Sequence, residues 1–388
     1  MKTRACTFAV LILAVTPTPS AAQSVSEVLS FLLTNRAVQT DDFQRDAAAA
    51  AATRDTVTTL LGAELATLPP SLSSAGFTYR FNSALGTAER ASMSFGSFFT
   101  ERSLTSGKGQ AALGVNMRFA SYNRLDGRDL RDGEFVTTAN QFRDEAAPFD
   151  TESLILHLRS SMMTVFGSVG IGNRVEVGAA VPFVQLTLDG QRINNYRGST
   201  LIQASGNATA SGIADMALRG KVNLVAVRAG GVAVAGEVRL PTGDATNLLG
   251  AGKSSLRLMG IGSLERGAVA LHGNAALVRG GISSEYDFSG ALSIAVDPRV
   301  TISGETLIRK VTELHSLELV SAPHPALLGV DTFRLAPSLG AETLASIVTG
   351  VKWNVTHTLV IGGHLNFPLS RGGLTAPLTP TVALEYAF

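Results

Sequence analysis

The side chains able to do chemistry in this chain recur at every second position. Arg219, Lys221 and Asn223 alternate with Leu218, Val222 and Leu224, and Glu237 and Arg239 alternate with Val234, Val238 and Leu240. Successive side chains of a strand point to opposite faces, so this pattern sends charge to one side and hydrocarbon to the other. Phased the same way, the charged face collects Arg118, Arg159, Arg219, Lys221, Arg239, Arg257, Arg309 and Lys352 against Glu176, Glu237, Glu305 and Glu385, with His157 and His364 beside them. Basic groups outnumber acidic ones there. A narrow pore lined this way focuses positive potential and favours anions; the competing reading is that these groups pair across the lumen and fix its shape.

Other chemistry finds little support. A nucleophilic site needs a base within ~3 Å of a serine and a third group to orient it. His315 and Ser316 are neighbours that a strand points oppositely, and His272 is followed by Gly273 and Asn274. No catalytic residue and no cofactor are expected. Asp126, Asp129 and Asp132 could hold calcium weakly, but their loop carries both signs of charge and reads as solvated, so no metal site is expected. Gly250-Ala251-Gly252-Lys253-Ser254-Ser255 lacks the full spacing of a phosphate loop. A formal charge of +1 argues against a nucleic-acid partner.

The elements that must position the charged face are strands. Of the 388 residues 45% are apolar and only 16% charged, and no stretch after the N-terminus approaches the ~20 apolar residues of a membrane helix. Hydrophobicity spread in alternation is how a transmembrane barrel distributes it. Strands are predicted at 110–122, 151–170, 175–188, 213–226, 232–240, 255–264, 268–278, 287–296, 300–312, 343–354, 358–368 and 380–388. Long polar links at 123–150, 189–212, 241–254, 313–342 and 369–379, and a shorter one at 279–286, alternate with tight turns. Those turns, at Gly172 to Arg174, Arg228 to Gly231, Glu265 to Gly267, Asp297 to Arg299 and Asn354 to His357, carry residues that short hairpins need. Outer-membrane barrels have this asymmetry of short periplasmic turns and longer external loops. The fold expected is all-β, a transmembrane antiparallel β-barrel of about 12 strands, with 14 possible, preceded by a helical segment.

Ahead of the barrel, residues 1–22 read as a signal peptide: Lys2 and Arg4, the apolar run Phe8 to Val15, then Ser20-Ala21-Ala22. The only cysteine, Cys6, would leave with it. Residues 23–74 read as helical, periplasmic or lumenal; Asp41 with Gln44 forms a candidate capping box and Pro69-Pro70 ends the segment. Residues 75–109 read as an extra hairpin or an extended stretch along the inner wall. At the other end, Val382, Leu384, Tyr386 and Phe388 share one strand face, and a terminal Phe388 with Tyr386 two places earlier resembles the assembly signal of outer-membrane barrels.

Leu240-Pro241-Thr242-Gly243-Asp244, the tract Ala112 to Val115 leading to Asp126-Gly127-Arg128-Asp129-Leu130, and Asn173 to Gly178 before Val181-Pro182-Phe183 are similar to the outer-membrane proteins grouped as the phenol meta-pathway transporter-like family. The resemblance covers about residues 107–388. It implies a barrel in the bacterial outer membrane that passes small, often aromatic molecules, and carries over no binding residues. The partners expected are outer-membrane lipid, the barrel-assembly machinery and a small-molecule solute. The channel-lining residues expected are Arg118, His157, Arg159, Arg219, Lys221, Glu237, Arg239, Arg257, Lys352 and His364. The alternative is a structural or surface-interaction barrel without specific transport.

Overall fold

A computed structural model of the chain describes residues 23–33, the helical residues 51, 54–55, 57–59 and 61–62, then 79–82, 87–90 and 92–388 apart from 228, 229 and 325. The signal-peptide expectation and the capping box at Asp41 and Gln44 lie outside the described residues.

Twelve antiparallel strands close into a barrel: β1 (Ala111–Tyr122), β2 (Asp150–Gly170), β3 (Val175–Tyr196), β4 (Met216–Val227), β5 (Gly230–Leu240), β6 (Ser255–Arg266), β7 (Val269–Gly280), β8 (Ser284–Asp297), β9 (Val300–Pro323), β10 (Val330–Asn354), β11 (Leu359–Pro368) and β12 (Thr379–Ala387). Each pairs with its neighbours in sequence. The ring is completed where β12 meets β1, with Ala387 opposite Ala112 and Thr381 opposite Arg118. Short turns gather at the end where β1 begins and β12 finishes, which is the periplasmic end by the rule of short turns. In one of them the Asp297 carboxylate accepts the N–H groups of Arg299 at 2.6 Å and Val300 at 2.9 Å, fixing the reversal.

The outward faces carry the hydrocarbon. Along β8 the series Tyr286, Phe288, Leu292, Ile294 and Val296 is exposed, and these rows cover about 25 Å of membrane thickness at ~3.3 Å per residue and a tilt of about 40°. Tyr286, Phe119 and Phe183 stand towards its outer edge, and Trp353, Tyr386 and Phe388 towards the periplasmic one, all exposed. They form two thin aromatic belts. A closed barrel with such a band is an outer-membrane protein, because only closure leaves no unpaired strand edge in lipid.

The links at 189–212 and 313–342 are largely strand, which corrects the expected loops. β3 continues to Tyr196 and pairs with Ser199–Ile213, while β9 and β10 continue as one tall hairpin to Pro323 and Val330. Within the link at 123–150, also expected to be loop, Phe135–Phe142 wedges between β2 and β10. The missing signal has a physical origin. Above the membrane the outward face need not be apolar, and Ser205, Asn207, Thr209 and Ser211 fill it in Ser199–Ile213. Residues 79–82 and 87–90 pair with each other in a separate two-stranded sheet, so they add nothing to the barrel's twelve.

The apolar core lies inside the outer half of the barrel. Helix α1 (Val25–Leu33) presents Val28, Leu29 and Leu32 to Leu156, Leu158, Leu186 and Leu188 of β2 and β3 and to Ala204 and Ala208. Small residues make its seat: a side chain at Gly190 or Gly206 would meet Leu32 or Val28. The helix begins with a capping box in which Ser24 Oγ accepts the Glu27 N–H at 3.2 Å and the Glu27 carboxylate accepts the Ser24 N–H at 2.8 Å.

This packing overturns two expected lining residues. His157 and Arg159 point outward, exposed, between inward-facing Leu156, Leu158 and Ser160. Phasing by polarity fails here because the lumen is apolar where it receives α1, while the outward face has already risen above the hydrocarbon; Arg159 is flanked there by Ser121 and Thr187. The usual inside-polar rule is inverted over this one stretch.

Candidate functional site

Inside the periplasmic half of the lumen runs a strap, residues 92–106, nearly all buried. It crosses from β9 and β10 to β3 and β4, and polar side chains of the wall hold it along its length. Phe95 N–H donates to Thr301 Oγ1 at 3.0 Å. Lys352 Nζ donates to the carbonyls of Ser97 at 2.6 Å and Phe95 at 3.2 Å, and lies 4.9 Å from the Phe98 ring centre. The Glu305 carboxylate accepts three consecutive backbone N–H groups, those of Phe98, Phe99 (2.9 Å) and Thr100 (2.7 Å).

Further along, Glu101 pairs with Arg219, both side chains buried. The Ser103 N–H donates to Ser263 Oγ at 2.8 Å and its carbonyl accepts Asn223 Nδ2 at 2.7 Å. Ser106 donates through both N–H and hydroxyl to Glu176 at 2.7 Å, and Glu176 also faces Lys221 at 3.4 Å. A buried backbone away from other strands has no ladder to join, so its hydrogen bonds must come from side chains. Here the inward charges of the barrel supply them.

The outer half of the lumen keeps an open cavity of about 140 Å³, with Phe99 of the strap and Asn274 of the wall among its lining. Its sides carry three intramural ion pairs: Arg239 with Glu237 (3.1 Å), Arg257 with Asp287 (3.1 Å) and Arg309 with Glu285 (2.9 Å). Arg118 lines the same space. Among the described residues it is the cavity arginine for which the structure shows neither carboxylate nor hydrogen-bond partner.

Of the residues expected to line a channel, Arg118, Arg219, Lys221, Glu237, Arg239, Arg257, Lys352 and His364 face inward. Arg219, Lys221 and Lys352 are taken up by the strap or its anchors, whereas Arg118, Glu237, Arg239 and Arg257 border the cavity. His364 packs between the Phe98 and Phe99 rings at 4.4 and 5.1 Å, and neither ring nitrogen has a hydrogen-bond partner among the described residues. It lines the lumen as an aromatic surface packed on the strap.

Sequence reasoning missed Glu101, Glu285 and Asp287. The last two lie on β8 at the alternate positions facing in, ahead of the predicted strand start or at its first residue. With them present and Arg159 outside, the expected excess of inward positive charge largely disappears.

The Ser–His contact on the inner wall, His272 Nδ1 to Ser263 Oγ at 3.0 Å, sits beneath the strap, and among the described residues His272 Nε2 has no hydrogen-bond partner to orient it. Of the three loop aspartates, Asp126 accepts the Leu317 N–H from β9, while Asp129 accepts that of Arg131 and Asp132 that of Glu134, each of these two within its own turn.

No protein-family model matches this chain, and no curated protein matches it. The barrel is similar to solved outer-membrane proteins. One is an outer membrane channel from Pseudomonas putida F1, at 11% identity over 72% of this chain and 96% of that one, TM-score 0.47. Others are OprB from Pseudomonas putida (10%, 72% and 93%, TM-score 0.31) and the transport unit of the autotransporter AIDA-I from Escherichia coli (11%, 72% and 90%, TM-score 0.36). At such scores the likeness transfers nothing further to this chain. The membrane assignment rests on closure and on the outward apolar band.

At the outer mouth, α1 is tied to the β5–β6 link, where Asn247 Oδ1 accepts the Val25 N–H at 3.1 Å. Asn247 in turn donates to Asp244 at 2.7 Å. That hydrogen bond, with others from Thr246, holds the Asp244 carboxyl below the usual carboxylate range. A depressed pKa means the contribution is present at neutral pH and is lost only as pH falls through the folded-state value.

The position of α1 predicts a surface label. In a protein whose Cys6 is replaced by serine, a cysteine at exposed Glu27 should react with a membrane-impermeant maleimide on intact cells, whereas one at Thr356 in a short turn should react only after the outer membrane is opened. Labelling of Thr356→Cys first would reverse the orientation.

Proposed function

We propose that the chain is an outer-membrane channel for passive passage of small molecules, shut in this conformation by its own strap. The observation that supports this best is the nature of the obstruction. The periplasmic half of the lumen is crossed by residues 92–106, a segment held by side-chain hydrogen bonds and ion pairs and not part of the barrel wall. Above it a solute entering from outside meets the cavity, with Phe99 offering an aromatic surface and Arg118 an uncommitted guanidinium. Small aromatic carboxylates match that pair of groups, which bears on the resemblance to the phenol meta-pathway transporter-like family.

Arg118 is the group on which selectivity rests, since the other cavity arginines face carboxylates. Unit charges about 4 Å apart in water interact by about 1 kcal/mol, roughly a fivefold effect. In a barrel with the strap loosened, Arg118→Ala should therefore lower anion over cation permeability by about that factor, read as a shifted reversal potential across planar bilayers under a salt gradient. Cation selectivity before the substitution would sink the anion reading. Liposome swelling with a solute panel tests passage itself. The tall β9–β10 hairpin favours a second reading, a surface-interaction barrel, which absence of uptake by both intact and strap-loosened proteins would support.

A further inference from the structure

The outward face of β7 to β9 carries a cationic cluster just above the apolar band. Arg279 donates to the Tyr286 hydroxyl at 3.1 Å and to the Val278 carbonyl at 3.0 Å, and its guanidinium lies 5.2 Å from the Tyr286 ring centre. Its reach is therefore fixed. Lys310 is the register partner of Tyr286 on the next strand and is exposed, placing its side chain on the opposite flank of the same phenol. The structure shows no carboxylate against either cation among the described residues. Both inward neighbours, Glu285 and Arg309, are committed to each other on the lumen side.

Directly towards the membrane centre the surface is notched. On β6 to β8, Gly260, Gly262, Gly273 and Gly290 face outward, with Gly262, Gly273 and Gly290 in register across three strands. Phe288 and Ile308 border the resulting recess of about 630 Å³ on the side nearer the cations. At Gly290, among the described residues, no heavy atom beyond its chain neighbours lies within 4 Å of where a side chain would begin. An acyl chain is the membrane component whose cross-section and apolarity suit such a notch, and the two cations stand where its headgroup would lie.

We propose that Arg279, Tyr286 and Lys310 bind the phosphate of an outer-leaflet lipid whose acyl chain occupies the glycine notch. Charge-assisted hydrogen bonds to phosphate are the strong class, and cations at the interface attract anionic headgroups. The lipid would be a fixed annular partner of one barrel side, separate from the solute route through the lumen.

The test uses the full mature chain purified in detergent, titrated by native mass spectrometry with bis-phosphorylated lipid A and with the same lipid after removal of its phosphates. Lipid A should bind the unaltered protein, and R279A/K310A should bind it about tenfold more weakly or worse. The dephosphorylated lipid should bind both proteins equally weakly. R159A, altered at an outward cation elsewhere on the outer rim, should bind as the unaltered protein does, and heat-modifiable migration reports that each variant is folded. Equal affinity for the two lipids on the unaltered protein would overturn the proposal without reference to any variant. Competition by inorganic phosphate at matched concentration would also overturn it, by assigning the cations to a free anion.

Discussion

Replacing Glu305 with alanine is expected to open the barrel. The change removes the acceptor of three consecutive backbone N–H groups, leaving donors buried without partners at about 1–3 kcal/mol each. Even the lower figure, summed over three groups, shifts the balance between docked and released strap by about a hundredfold. In planar bilayers the unaltered protein should show rare, brief openings and E305A long-lived ones of larger conductance. E305Q keeps an acceptor oxygen and should fall between them. Unchanged conductance of a folded E305A barrel would mean that the strap is a permanent filling and not a closure. Arg219→Ala should act in the same direction, since it strands Glu101 as a buried charge without this partner.

Removing Phe388 should lower the amount of barrel in the outer membrane severely while leaving the folded protein sound. Its N–H donates to the Ala111 carbonyl at 2.8 Å beside the β12–β1 seam, and its exposed ring packs on Tyr386 at 4.9 Å in an edge-on arrangement. One hydrogen bond and one ring pair amount to about 1–3 kcal/mol, too little to unfold a twelve-stranded ring. The outward placement of both rings suits recognition by assembly machinery instead. The measurements are membrane level in cells against refolding of the same truncation from urea into detergent. Normal membrane levels would refute the assembly role, and failed refolding would make the defect one of stability.

The strands were legible in the sequence wherever they face hydrocarbon, because lipid demands apolar residues at every second position. Met216 to Leu224 and Val232 to Leu240 declare themselves for that reason. Legibility stops at the membrane edge. The outer part of β3 and Ser199–Ile213 have outward Thr187, Asp189, Asn207 and Thr209, which water accepts as readily in a loop as in a strand. The same loss of contrast misplaced His157 and Arg159.

For the site, periodicity located Arg219, Lys221, Glu305 and Lys352 on the correct face but could not reveal what they bind. The strap is rich in Ser, Thr, Gly and Phe with no period, since its conformation is set by the wall and not by its own preferences. One signal was nonetheless present. Glu305 and Lys352, charges on the inward faces of paired strands, imply a partner inside the lumen.

The direction in which the chain enters its own barrel has a consequence for its biogenesis. Helix α1 lies at the outer mouth, yet the strap leads directly into β1 at the periplasmic end, so both lie within a ring that closes only when β12 reaches β1. A segment that leads into the first strand is available to be laid in place before that last seam forms. Until then Glu305 and Lys352, which hold the strap's backbone in the finished barrel, have that segment to meet, so an N-terminal segment docked early would template the wall laid down around it. Pairing of strands so distant in sequence is slow, and a chain that brings its own mandrel holds the open sheet in register during the wait.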